Sequence, residues 1–205
     1  SFPTRRSSDL VPLLFAKNPT GRLMSLEQNY TAILGQLGED VSREGLLDTP
    51  RRVAKLWCEF IDYNPGETGT AFESITTDQM VVVSGLKVWS MCEHHLAPFW
   101  CRVSIGYICR DKVLGLSKLA RIAHKHAHRL QLQERLVHGV AQEVMEKCGS
   151  DDVAVIATGE HLCMSMRGIR TDGLMTSSSM NGVFKTNPQA RDEFLKIVGM
   201  ARREG

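Results

Sequence analysis

Cys92-Glu93-His94-His95 constrains this chain more than any other stretch in it. A thiol, a carboxylate and two imidazoles within four residues are costly to desolvate unless a metal or a substrate satisfies them. The run follows Met80-Val81-Val82-Val83, which reads as a strand, and leads into Leu96-Ala97-Pro98-Phe99. Cys92 and His95 are three apart, a spacing at which a turn brings sulfur and ring nitrogen onto one ion, but two ligands do not make a zinc site. The missing donor is expected within Glu160 to Arg167. A strand there puts His161, Cys163, Ser165 and Arg167 on one face and Leu162, Met164 and Met166 on the other. Cys92, His95 and Cys163 then give three protein ligands. Structural zinc is usually closed by four and catalytic zinc keeps one position open, so the count favours chemistry. His94 and His161 remain beside the metal as imidazoles able to move protons near neutral pH.

At 205 residues and 42% apolar the chain can bury one core, and a single domain is expected. A formal charge of +2, from 25 basic and 23 acidic residues, carries no polyanion signature. Any anion site is therefore local, and nucleic acid is not an expected partner. Six irregularly placed cysteines, and nothing resembling a signal peptide or an apolar span of about 18 residues, fit a reducing cytoplasm and no membrane. Ser1 to Leu10 matches the translation of a common sequencing adapter and is read as an artefact; residues 11–24 are read as a flexible lead-in.

Ser25-Leu26-Glu27-Gln28 has the capping-box form, and Leu26, Tyr30, Ile33, Leu34 and Leu37 follow at helical spacing up to Gly38. Thr49-Pro50 opens a second helix striped with Val53, Leu56, Trp57, Phe60 and Ile61. Arg51 and Arg52 in its first turn oppose the helix dipole, so either one has an anionic partner or both are simply solvated. Beyond the Cys-Glu-His-His loop, Cys101, Val103, Ile105, Tyr107 and Cys109 alternate with Arg102, Ser104, Gly106 and Ile108. That pattern predicts a strand with one buried and one more polar face, and makes Cys101 and Cys109 core residues. Ser117 is the expected cap of a helix with the apolar stripe Leu119, Ala120, Ile122, Ala123, Ala127 and Leu130. Its basic stripe, Lys118, Arg121, Lys125 and His128, is either a solvated face or an anion site at a helix start. A further helix carries Leu136, Val137, Val140, Ala141, Val144 and Met145 up to Gly149, with Glu134 at its dipole-favoured start. Val153 to Ala157 and Thr176 to Ser179 read as strands, and Asn187-Pro188 caps a last helix.

Thr49-Pro50-Arg51-Arg52-Val53-Ala54, Cys92-Glu93-His94-His95, Gly115 to Arg121, Gln131 to Leu136, His161-Leu162-Cys163-Met164 with Arg167-Gly168, and Gly182-Val183-Phe184 occur in order at compatible spacing. In these motifs the chain, from about Ser25 to Arg203, closely resembles the GTP cyclohydrolase I family. The resemblance implies an α+β tunnelling fold, with an antiparallel sheet carrying helices on one face and an N-terminal helical extension. Residues 25–63 would be the helical part and 80–203 the tunnelling-fold part of a single domain. Subunits would share a barrel, forming pentameric rings stacked as a decamer.

The resemblance also implies Zn2+ on Cys92, His95 and Cys163, with His94 and His161 as proton-transfer residues. Glu134 with Gln133 would read guanine, whose N1–H and N2 amino group both donate to a carboxylate. Ser117, Lys118, Arg121 and Arg167 would clamp the triphosphate, with Arg52 reaching in from a neighbouring subunit. Four cations then meet the roughly four negative charges of a triphosphate. The implied reaction is GTP plus water giving formate and 7,8-dihydroneopterin triphosphate, the first step of pterin and folate biosynthesis. Two rival readings are a non-catalytic protein of the same fold stabilised by zinc, and another tunnelling-fold enzyme acting on a purine or pterin.

Overall fold

The computed structural model describes residues 19–74 and 78–201, so the adapter-like Ser1 to Leu10 and residues 11–18 of the lead-in lie outside the described residues. The chain divides into two compact units between Asp62 and Tyr63.

The first unit is helical. Helix α1, Pro19–Gln36, starts well before the expected capping box, so Ser25 lies inside it and residues 19–24 are helical. After a single 3-10 turn at Glu44–Leu46, α2 spans Thr49–Ile61 with Pro50 in its first turn, where the missing N–H costs nothing. Pro50 and Ala54 are buried, whereas Leu56 and Ile61 of its apolar stripe, Ile33 of α1 and Leu37 just past it stay exposed. Arg52 pairs with Asp48 one turn upstream at 3.3 Å, an exposed bridge that offsets the dipole mismatch expected there.

The second unit carries β1 (Ala71–Glu73), β2 (Met80–Cys92), β3 (Pro98–Ile108), β4 (Lys112–Leu114), α3 (Leu116–Ala127), β5 (Leu130–Gln131) and α4 (Gln133–Cys148). It continues with β6 (Val153–His161), α5 (Leu162–Ser165), β7 (Met175–Met180), α6 (Val183–Thr186) and α7 (Pro188–Ala201). The main sheet has the order β5-β2-β3-β6-β7, with β1 and β4 paired apart from it. Its pairings are antiparallel except for the two-residue parallel contact of β5 with β2. β2 is kinked by a register shift between Val83 and Leu86, where Gly85 takes a φ of +74° that a side chain would resist.

Four expectations are corrected. Gly115, not Ser117, occupies the cap position of α3, and Ser117 sits in its first turn. Leu130 lies past the end of α3, in β5, and is exposed. The strand expected over His161 to Arg167 ends at His161, and Leu162–Ser165 forms one helical turn closed by Met166 N–H on the Leu162 carbonyl at 2.9 Å. The physical reason is composition: β-branched Val153, Val155 and Ile156 hold β6 extended, while the following Leu, Cys, Met and Ser contain no β-branched residue.

The fourth correction concerns the faces of β3. Cys101, Val103, Ile105 and Tyr107 bury against Leu119, Ile122 and Ala123 of α3 and Leu136, Val140 and Val144 of α4, as expected. Burial pushes the Cys101 thiol up to about 12, which fits its reading as an inert core residue. The opposite face is not left polar, however. Ile108 and Ala154 form a second core with Phe184, Phe194 and Val198, so α6 and α7 cover the end of the sheet distant from the loop. Helices therefore lie on both faces of the sheet. Gly106 makes room for this layer: a Cβ there would stand 2.6 Å from the Phe194 ring. Asn187 anchors α7 by accepting the Gln189 N–H at 2.9 Å.

Truncation of Phe194 tests the second core. Phe194 is fully buried, so Phe194→Ala is expected to cost about 3–5 kcal/mol, read as a lowered urea midpoint, whereas the exposed Leu195→Ala should cost well under half of that.

Candidate functional site

The site is built where β2, β3 and β6 end together. β2 delivers Cys92 and β3 begins at Pro98, with Met91 opposite Pro98 in the ladder. The connecting loop is closed by Cys92 itself: its N–H donates to the Ala97 carbonyl at 2.8 Å, and its carbonyl accepts from Leu96 N–H at 2.9 Å. Leu96 takes a φ of +53° to complete the turn. The Cys92 Sγ and His95 Nδ1 consequently lie 3.6 Å apart.

From the other side β6 ends at His161, opposite Phe99 of β3, and α5 then turns Cys163 toward the loop. One donor atom from each of Cys92, His95 and Cys163 falls within 4.8 Å of the others, the only such group of three among the described residues. Cys163 was expected to reach this point by strand alternation, but a helical turn puts it there instead. Burial, and after it the adjacent Cys92, push the Cys163 thiol above its ordinary value. Two thiols side by side cannot both ionise cheaply without a cation. Soft sulfur plus imidazole is a donor set suited to such a cation, so the residues fit a metal.

His161 is held on two sides. Its ring stacks on Phe99, with centroids 4.3 Å apart and planes 8° from parallel. Its Nε2 lies 3.0 Å from Gln133 Oε1. Gln133 is fully buried, and its Nε2 donates toward the Ala157 carbonyl, the Met175 carbonyl and Ser177 Oγ, each at 3.1 Å. With three oxygens around the amide nitrogen, the amide oxygen must face the imidazole. His161 therefore carries its proton on Nε2, which leaves Nδ1 as the free nitrogen of the neutral ring. Burial lowers the His161 pKa, with the Glu134 carboxylate opposing, so the ring is neutral near pH 7.

Glu134 is exposed on the first turn of α4, next to the buried Gln133. His94 is also exposed, its ring edge-on to His95 at 6.1 Å. Lys118 and Arg121, one turn apart on α3, both donate to the Glu67 carbonyl, at 2.9 and 3.4 Å. Ser117 is exposed two residues into that helix. Arg167 is exposed just after α5 and acts electrostatically on Cys163. Arg52 belongs to the first unit.

Two contacts had no counterpart in the sequence reading. Glu93, between Cys92 and His94, forms a two-pronged ion pair with Arg135, at 2.5 and 3.1 Å. The Arg135 guanidinium holds the Glu93 carboxyl below its ordinary value. Phe99, to which the sequence reading gave no role, is the platform for His161. Glu93 and Arg135 each lie within a quoted motif and Phe99 follows one, but nothing in the sequence pairs them with partners so far away.

Replacing Gln133 by Leu is expected to leave the Ala157 and Met175 carbonyls without their buried donor and His161 without its acceptor. A loss of about 1–3 kcal/mol should follow for each group left unsatisfied, visible in urea unfolding, whereas exposed Gln142→Leu should be near neutral.

Residues 26–199 match the family model described as GTP cyclohydrolase I. GTP cyclohydrolase 1 1 of Pseudomonas putida is 47% identical over 185 residues, covering 88% of this chain and 97% of that protein. GTP cyclohydrolase 1 of Hahella chejuensis is 46% identical over 187 residues, covering 88% and 98%. The solved apo structure of an archaeosine synthase QueF-Like covers 51% of this chain and 96% of its own, at 18% identity and a TM-score of 0.39.

Proposed function

The chain belongs to the GTP cyclohydrolase I family and is an enzyme of that type, and from this premise we propose that it converts GTP and water to formate and 7,8-dihydroneopterin triphosphate at a zinc centre held by Cys92, His95 and Cys163. The observation that carries the proposal is the convergence of these three donors beside an imidazole whose tautomer is set by Gln133. Three protein ligands leave one zinc position for chemistry, and the Lewis acidity supplied there favours attack of water at C8 of the purine. A site that only stabilised the fold would more often be closed by a fourth ligand, which disfavours the non-catalytic reading.

His161 serves as the proton-transfer group, working through Nδ1 because Nε2–H is committed to Gln133. His94 in the exposed loop is the second proton carrier. Gln133 acts through His161, and the guanine edge falls to Glu134, whose exposed carboxylate accepts from N1–H and the N2 amino group. Lys118 and Arg121 converge on one carbonyl oxygen, a geometry ready to exchange that oxygen for a phosphate oxygen. Ser117 and Arg167 complete the clamp within the chain, and Arg52 is contributed by a neighbouring subunit.

That assembly is a decamer of two pentamers sharing a barrel. Its support is a sheet with open flanks: β7 ends the strand order on one side, and on the other β2 is paired outward only at Met91 and Cys92, among the described residues. No helix among the described residues is long and apolar enough to cross a membrane, and we assign the enzyme to the cytoplasm.

Cys163→Ser should drop the zinc content well below one per chain by elemental analysis, and full retention would overturn the ligand set. Glu134→Gln replaces an acceptor by a donor facing a donor and should weaken GTP binding by roughly 10- to 150-fold, the equivalent of about 1.5–3 kcal/mol. His161→Ala should instead keep GTP affinity and about one zinc per chain while formate release falls by ~10²-fold or more. Normal turnover in His161→Ala, or loss of its zinc, would refute its assigned role.

A further inference from the structure

The metal loop and the segment that opens α4 meet beside Glu93. The loop's own hydrogen bonds close on Cys92 and Ala97, and so hold its shape without fixing it to α4. Outward, the Glu93 N–H donates to the Gln131 carbonyl at 3.2 Å, continuing the short pairing of Cys92 with Gln131. The Glu93 carboxylate then takes both terminal nitrogens of Arg135, at 2.5 and 3.1 Å. Gln131 is itself locked, its amide donating to the His126 carbonyl at 2.9 Å and accepting from Leu132 N–H at 3.0 Å. Backbone and side chain of one residue thus grip both ends of the segment that carries Gln133 and Glu134.

We infer that Glu93 and Arg135 are positioning residues that clamp the metal loop to the first turn of α4, so that the zinc ligands and the guanine-reading carboxylate are held as one body. The pair flanks the two halves of the site without belonging to either: Glu93 lies between Cys92 and His94, and Arg135 follows Glu134. Its partial exposure, 53% for the Arg135 side chain and 28% for Glu93, means that it adds little to overall stability. Its geometry is what matters, because a planar guanidinium bound through two nitrogens fixes direction as well as distance. A lysine at position 135 would neutralise Glu93 and lose that direction.

The inference rests on the reading of Cys92, His95 and Cys163 as the zinc centre and Glu134 as the guanine contact. Its test uses the full-length zinc-loaded enzyme and the variants Glu93→Gln, Arg135→Lys, Arg135→Gln, the double Glu93→Gln/Arg135→Gln, and the exchange Glu93→Arg/Arg135→Glu. Zinc transfer to a chromophoric chelator and GTP affinity are measured on each. The single variants should release zinc about 10-fold faster, the scale of effect seen when groups supporting metal ligands are removed, and should bind GTP more weakly. The double variant should be no worse than either single one, Arg135→Lys should rescue only in part, and the exchange should recover most of the parental behaviour. Parental zinc release and GTP affinity in both Glu93→Gln and Arg135→Gln would overturn the inference. So would losses that add in the double variant and are not recovered by the exchange. Cys163→Ser and Glu134→Gln serve as controls: if they behave as the parent, the site reading fails and takes this inference with it. If they show their expected defects while the pair variants match the parent, the clamp alone is refuted.

Discussion

The Cys163 thiol, held beside Cys92 in a partly buried pocket, is opposed in its ionisation, and the rest of the site depends on how that conflict is resolved. Cys163 is pushed up by burial and by Cys92, whereas a cation between the sulfurs would favour both thiolates. Reaching this arrangement requires three strand ends in strict register. Met91 lies opposite Pro98 and Phe99 opposite His161, so β3 is the common reference for Cys92 on one side and Cys163 on the other. A slip of one residue in either ladder would turn the next side chains to the opposite face and disperse the donors.

What prevents the slip is burial of β3 on both faces over its far half. One face packs on α3 and α4, and the other on Phe184, Phe194 and Val198, so a shifted register would leave two sets of apolar side chains unmatched. The α3–α4 layer is held by a polar hub as well. Glu143, nearly buried, accepts from Thr68, Lys125 and His126. Burial alone would raise its pKa, and these partners outweigh it, leaving the carboxyl below its ordinary value. Removing one partner would strand a buried charge, which gives the network a directional hold that apolar contacts lack.

Much of this was legible in the sequence because period and chemistry agreed. The stripes of α3 and α4, the strand alternation of β3 up to Tyr107, the left-handed Gly149 cap and the anchoring Asn187 were readable from local rules. Cys163 does lie beside Cys92 and His95, but it gets there by a helical turn and not by the expected strand alternation. The donor chemistry of Cys163 was legible in the sequence; the turn that carries it was not. The second cover of β3 was hidden because Gly106 looks like a polar-face residue when its function is to admit Phe194. Glu93 and Arg135 are 42 residues apart, a distance across which one sequence carries no pairing signal.

The first turn of α4 shows how a single local choice separates a buried amide from an exposed carboxylate. Consecutive helical residues point about 100° apart, and at the start of α4 Gln133 faces inward while Glu134 faces outward. The neutral amide takes the buried position, where four polar neighbours satisfy it, and the carboxylate takes the exposed one. The reverse order would bury a charge against two backbone carbonyls and repel it. His161 lies between the outcomes: Gln133 fixes which nitrogen is protonated, and Glu134 partly offsets the effect of burial on its charge. On the proposed roles, substrate contact and imidazole orientation are set by neighbours on one turn. The Glu93 to Arg135 pair then ties that turn to the loop that carries Cys92 and His95.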